Sequence, residues 1–132
     1  MTETISLNDE TIIPQLAYRG LTIIGYYAGQ GDDFISSEGI KFSYDGLPGQ
    51  YRCIRFAPLF DGTLSVSFHS GRTAQRSLHI GHAVDDTVTE IAMGTASSED
   101  VTVNAVLHVG EVYYIWMEGG GSAYITSLRY QG

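Results

Sequence analysis

Glu111-Val-Tyr-Tyr-Ile-Trp-Met-Glu-Gly-Gly-Gly-Ser-Ala-Tyr-Ile-Thr-Ser-Leu-Arg-Tyr130 is the stretch that decides the fold class. Two runs rich in β-branched and aromatic residues flank Gly119, Gly120 and Gly121. Such runs around a glycine cluster predict an antiparallel hairpin, because glycine takes the positive φ of a tight reversal without steric cost. The stretch also holds the sole tryptophan, Trp116, and four of the nine tyrosines. It is therefore either a floor of the core or a wall of a ligand groove. Alternation along a strand separates Tyr113, Ile115 and Met117 from Tyr114 and Trp116. Alternation alone does not say which of the two sets faces the core, so the stretch can serve as both floor and wall.

Further upstream the same two-residue period recurs. Over 63–69, Leu64, Val66 and Phe68 point one way and Ser65, Ser67 and His69 the other. Over 76–82, Leu78 and Ile80 point inward, which puts His79 outward and His82 inward. Arg76 shares the inward parity and reads either as a buried structural arginine or as a ligand contact. Alternation over 101–109 puts Val101, Val103, Ala105, Leu107 and Val109 on one face. Shorter strands are expected at 4–7, 21–27, 39–44, 51–59 and 87–93, separated by turn signals such as Asp61-Gly62. Pro14 marks an edge or a turn. About ten short strands without helical periodicity predict an all-β antiparallel β-sandwich, a jelly roll. At 132 residues the chain is expected to form a single module over 1–132.

A net charge of −8 argues against nucleic acid and anionic membranes as partners. Five of the seven basic residues, Lys41, Arg52, Arg55, Arg72 and Arg76, nevertheless cluster in one third of the chain. Cys53 is alone, so it forms no internal disulfide, and its apolar surroundings in sequence mark it as a small buried hydrophobe. The first residues lack the basic and apolar regions of a signal peptide, and no run approaches the ~20 apolar residues of a membrane helix.

Catalytic patterns are not found in the sequence. His79 and His82 lie three apart on a strand, on opposite faces, and cannot share a metal without a bulge. Asp32-Asp33, Asp85-Asp86 and Glu99-Asp100 are loop carboxylates. A structural Ca²⁺ there is the one metal the residues leave open; no other cofactor is expected. Adjacent loop acids do not flank a glycosidic bond at the ~5–10 Å that hydrolysis needs. There is no nucleophile elbow and no phosphate-cradling glycine loop. Binding chemistry remains. Sugar rings stack their C–H faces on aromatic side chains, and Tyr44, Tyr51, Trp116 and Tyr124 are the main candidates, with Tyr26, Tyr27 and Tyr113 behind them.

Three segments carry a family resemblance: Arg76-Ser-Leu-His-Ile80, Gly110-Glu-Val-Tyr-Tyr-Ile-Trp116 and Gly120-Gly-Ser-Ala-Tyr-Ile-Thr-Ser-Leu-Arg129. Together with Asp32-Asp-Phe34 and Gly39-Ile-Lys-Phe42, they resemble carbohydrate-binding module family 77, the pectin-binding β-sandwich of pectate lyases and other plant-cell-wall enzymes. The resemblance implies a non-catalytic, secreted module that tethers an enzyme to pectin (homogalacturonan) or a β-glucan, as a monomeric part of a multidomain protein. It further implies that Tyr113 and Ile115 are core with Trp116 on the opposite, outer face, and it implies cationic contacts to an acidic ligand. Lys41 is the only lysine here, so those contacts fall to Lys41, Arg55 and Arg72. The alternative reading is a structural or protein-interaction β-sandwich domain.

Overall fold

The computed structural model describes residues Thr2–Ser6, Leu21–Ile24, Phe34–Ser36, Gly39–Phe42, 45–71 and 74–132. Eleven strands run through them: β1 (Thr2–Ser6), β2 (Leu21–Ile24), β3 (Phe34–Ser36), β4 (Gly39–Phe42), β5 (Cys53–Phe56), β6 (Gly62–Ser70), β7 (Arg76–Val84), β8 (Thr87–Ala96), β9 (Val101–Leu107), β10 (Val112–Glu118) and β11 (Ala123–Gln131). They form two antiparallel sheets, and no helix occurs among the described residues. Sheet I has the order β3-β4-β11-β6-β9, with β1 also on β11; sheet II has the order β2-β5-β10-β7-β8. The expected jelly-roll sandwich is what the chain builds. The short β3 had no signal in the sequence. Residues 25–33, which include the end of the strand expected at 21–27 with Tyr26 and Tyr27 as well as Asp32 and Asp33, lie outside the described residues, as do Pro14, Tyr44 and Arg72.

The two runs of the glycine-centred stretch do not pair with each other. β10 sits between β5 and β7 in sheet II, while β11 pairs β6, β4 and β1 in sheet I. The expected hairpin is instead an arch that carries the chain from one sheet to the other. Gly119, Gly120 and Gly121 all take positive φ, at 116°, 71° and 77°. A hairpin and an arch demand the same glycine conformations, so the local sequence does not distinguish them. Sheets pack about 10 Å apart, a gap that four residues at about 3.3 Å each span easily. Each sheet thus takes its middle strand from this one stretch.

One edge of β11 serves two partners. β4 pairs with its first three residues and β1 with its last five, and the register with β6 slips at Thr126, between the two. This β-bulge bends the strand where the partners change. Thr126 Oγ1 is held in the bulge by the carbonyl of Ser67, to which it donates at 3.2 Å.

The core lies between the sheets and follows the two-residue period. Ile40 and Phe42, Ile54 and Phe56, Leu64, Val66 and Phe68, Leu78 and Ile80, and Tyr113, Ile115 and Met117 are all buried there. Val103, Ala105 and Leu107 join them as expected, but Val109 lies beyond the end of β9 and is exposed. Tyr130 closes one end: its ring meets Phe56 edge-on at 5.0 Å, and its hydroxyl donates to the Phe60 carbonyl at 2.6 Å. Cys53 is buried with a free thiol.

Candidate functional site

Cross-strand register decides which outward residues meet. On sheet I, Lys41 of β4 pairs with Tyr124 of β11, which pairs with His69 of β6. Paired residues in antiparallel strands place their side chains on the same face, so these three form one row on the outer face. The Tyr124 and His69 rings stack at 5.3 Å with 29° between planes. His69 Nδ1 reaches the Asp100 carboxylate at 2.8 Å, which extends the row past β6. Below it lies a rung in which Ser67, paired with Ser127, hydrogen-bonds Thr102 Oγ1 at 3.0 Å. In the next rung Ser65, paired with Arg129, donates to Asn104 Oδ1 at 2.6 Å. The face is a rigid ladder of hydroxyl, amide and imidazole groups beside a half-buried tyrosine ring.

The outer face of sheet II is covered differently. Trp116 pairs with Cys53 on one side and His79 on the other. The indole is outward by parity but only 7% exposed. His79 stacks on it at 5.3 Å with 16° between planes. The histidine is held by the Glu90 carboxylate on Nδ1, and by Glu118 Oε2 and Ser77 Oγ, each 3.0 Å from Nε2. The indole N–H donates to Glu118 Oε1 at 3.4 Å. From the other side the 45–52 loop closes in: Gly46 donates its backbone N–H to Met117 O at 2.9 Å. A Cβ at Gly46 would meet Trp116 Cβ at 3.2 Å and collide with the Arg52 carbonyl. Trp116 is therefore corrected from an open stacking platform to a buried support. Outward parity fixes its face of the sheet, but a loop and a histidine from elsewhere in the chain cover it. His79, expected exposed, is buried with it.

The remaining candidates divide between the faces. Arg55 is half-buried on sheet II, where it pairs with Tyr114. Lys41 and Arg55 are both outward, as expected, but on opposite sides of the sandwich, so one polysaccharide chain lying on one face cannot touch both. Tyr51 lies in the loop before β5, bridged to Leu47, with the Arg52 guanidinium 5.7 Å over its ring. Tyr113 belongs to the core; its hydroxyl accepts the His108 N–H at 2.9 Å. His82 does point inward, stacking on Tyr113 at 5.1 Å while bonding Glu111 at 2.9 Å. The row takes in His69, which the sequence did not nominate, and Asp100, which it offered only as a loop carboxylate. Alternation had already turned His69 outward; only the register reveals its neighbours.

Arg76 is resolved as structural, since its side chain is 1% exposed. Its Nε donates to Glu118 O at 3.1 Å, one terminal nitrogen donates to Gly121 O, and the other lies 3.8 Å from Asp45 Oδ1. Burial lowers its pKa and the Asp45 charge works against that shift. Asp45 Oδ1 also accepts the Gly120 N–H at 2.7 Å. Together they clamp the glycine arch. Among the described residues no group of three or more His, Cys, Asp or Glu side chains could hold a metal ion.

Solved structures similar to this sandwich include the carbohydrate-binding module CBM36 in complex with calcium and xylotriose. It shares 8% identity at a TM-score of 0.52, over 98% of this chain and 99% of that one. A β-1,3-glucan-binding CBM6 from Bacillus halodurans shares 15% identity at 0.52, over 98% and 96%. A family two carbohydrate esterase from Cellvibrio japonicus shares 14% at 0.51; the match covers all of this chain but only 34% of the esterase chain. This chain thus spans about a third of that relative. No protein-family model matches the sequence, and no curated protein does. The likenesses do not single out the pectin-binding family 77. What they establish is the fold, a β-sandwich of the kind that carbohydrate-binding modules build.

Proposed function

We propose that this chain is a non-catalytic carbohydrate-binding module, and that the outer face of sheet I holds a plant cell-wall polysaccharide to which the module targets an appended, secreted enzyme. The observation that carries the reading is the Lys41–Tyr124–His69 row with its polar rungs. An aromatic ring among fixed hydrogen-bonding groups suits a sugar, which offers an apolar C–H face and a rim of hydroxyls. The sandwich itself is of the kind found in a xylotriose-bound and a β-1,3-glucan-binding module. Among the described residues Asp100 is the one carboxylate in the row, whereas hydrolysis by paired carboxylates needs a second across the scissile bond.

Between the two ligand classes, a neutral β-linked glucan fits this face better than homogalacturonan. Lys41 and Arg55 cannot act together on one polyanion, and Lys41 shares its row with Asp100 on a molecule of net charge −8. Affinity gel electrophoresis and calorimetry against β-glucans, xylan, mannan and homogalacturonan test both points. We expect retardation by a neutral polysaccharide, insensitive to salt, and a loss of affinity of about tenfold or more in Tyr124→Ala, the range seen when a base-stacking aromatic is removed. Pectin binding that weakens as salt rises would overturn the neutral-glucan choice. No retardation by any of the four would sink the carbohydrate reading.

A specific observation also favours a protein-interaction domain. At the edge where β8 and β9 end their sheets, Ile91, Met93 and Val106 are 44%, 49% and 65% exposed. Concentration-dependent association in sedimentation, without glycan binding, would support that reading instead.

A further inference from the structure

The two sheets end next to each other. β8 closes sheet II, β9 closes sheet I, and between them lies a cleft of about 380 Å³. Ala105 and Tyr113, both core residues, form its floor; Ile91 and Val106 form its lips, and His82 and Glu111 stand at one end. Register explains the apolar lip on β8. Glu90 pairs with Gly81 and Ala92 with Ile80, so Ile91 is the extra residue of a β-bulge and leaves the ladder. It is exposed, as are Met93 two residues on and Val106 across the cleft.

An open sheet edge offers unpaired N–H and C=O groups to another chain, and natural edges are blunted by shortness, proline or charge. β8 is ten residues long and has no proline, and its one charged side chain, Glu90, is turned to His79. β9 has no charged residue at all. Among the described residues no strand lies beyond either edge, and only the bulge interrupts that of β8. A strand laid on β8 extends sheet II and turns every second side chain over the cleft.

Charge selects the occupant. Residues 77–128 hold seven acidic side chains, all of them exposed, and no lysine or arginine. Arg55 on β5 is separated from β8 by β10 and β7, and Arg129 on β11 is separated from β9 by β6. A second copy docked here would bring the same carboxylates together on molecules of net charge −8 each. A cationic chain is attracted instead.

We propose that the edge of β8 and the adjoining cleft dock an extended segment of a partner protein, in which apolar residues alternate with lysine or arginine, as a further strand of sheet II. The β8 backbone holds the segment, and its apolar side chains enter the cleft between Ile91 and Val106. Its cations lie on the other face beside Glu90, with their stems against Met93. The surface shares no residue with the sheet I row, so it adds a protein partner to the glycan reading without depending on it.

Fluorescence anisotropy of the whole chain with a labelled peptide of alternating lysine and valine, ten residues long like β8, tests this. Peptides alternating lysine with serine and glutamate with valine are the controls. We expect saturable binding of the lysine–valine peptide that weakens as salt rises, and binding weaker by about tenfold or more for both controls. Hydrogen exchange should show β8 amides protected by the bound peptide. Ile91→Lys puts a charge on the edge; it should lower peptide affinity by about tenfold or more and leave polysaccharide binding unchanged. Val106→Lys, on the other lip, should give the same loss and decides the matter if circular dichroism shows Ile91→Lys unfolded. Equal binding of the lysine–valine and lysine–serine peptides would reduce the attraction to diffuse charge and overturn the docking site. Protection outside β8 and β9, affinity unchanged in both variants, or no binding of the lysine–valine peptide would overturn it too. Self-association of the chain in sedimentation, lost in Ile91→Lys, would overturn the cationic partner in favour of a second copy.

Discussion

Arg76 shows how one side chain can hold a loop that no regular structure supports. The glycine arch leaves the carbonyls of Glu118 and Gly121 turned inward, and the guanidinium satisfies both while lying fully buried. Substituting Met, which fills similar space without donors, strands those carbonyls. The expected cost is about 3 kcal/mol, since each buried unsatisfied group costs about 1–3 kcal/mol. Asp45 is more than half exposed, so Asp45→Asn should cost about 1 kcal/mol or less, the range for surface pairs. Urea denaturation of the two variants separates these outcomes; equal losses would mean the ion pair, not the carbonyls, is what matters. Gly81 is a second exacting position. A Cβ there would meet Val88 Cγ1 at 2.5 Å and the Trp116 ring at 2.9 Å. Gly81→Ala should destabilise by about 1–3 kcal/mol, as overpacking does. It should also shift the fluorescence of the sole tryptophan to longer wavelength, because the indole must move from under His79. That Arg76 points inward was legible from its parity with Leu78 and Ile80. Its partners were not, because nothing in a local pattern records which distant carbonyls lack donors.

Strands were the legible part of the chain, and their partners were the illegible part. The alternation of Leu64, Val66 and Phe68 against Ser65, Ser67 and His69 gave β6 and its two faces. Alternation along β10 likewise grouped Tyr113, Ile115 and Met117 on one face, which the structure shows to be the buried one. The arch between β10 and β11 was not legible, because its alternatives share the same glycines and differ only in which remote strands lie alongside. The site divides in the same way. Parity turned Lys41 and Arg55 outward, yet it is silent on which sheet each belongs to, and that assignment separates them. Within the arch the three glycines should not be equivalent. Gly120 has open space where a Cβ would stand, so Gly120→Ala carries only the left-handed backbone cost of about 1–2 kcal/mol. Gly119 adds a contact of 3.1 Å with the Gln75 carbonyl to a φ of 116°. Thermal unfolding should therefore rank Gly119→Ala clearly below Gly120→Ala. The reverse order would argue that the arch relaxes away from Gln75.

The sandwich as a whole carries an alkaline limit. Burial pushes the Tyr130 phenol up to about 12, with smaller contributions from Tyr113 and Asp61. An unfolded tyrosine ionises near 10. Because the folded pKa is the higher, the stabilising contribution is fully present below about pH 10 and is lost as pH rises towards 12. Tyr130→Phe gives up the hydrogen bond to Phe60, about 1 kcal/mol at neutral pH. It should also lose stability less steeply than the wild type between those two values. Melting temperatures measured across that range check the slope; parallel curves would mean that other tyrosines set the limit.

The placement of β10 and β11 bears on how the molecule is made. Both sheets are centred on strands that leave the ribosome after β1 to β9, which emerge first as flanks with nothing between them. Apart from the β3–β4 and β7–β8 hairpins, the pairing is between segments far apart in the chain, which slows folding and prolongs exposure of apolar strand edges. A nascent chain arrested before residue 112 should remain fully sensitive to protease. One arrested with residues 112–131 clear of the exit tunnel should become resistant in a single step. Folding of this sandwich is then all-or-none, and a chaperone on the nascent chain would be needed most just before residues 112–131 appear.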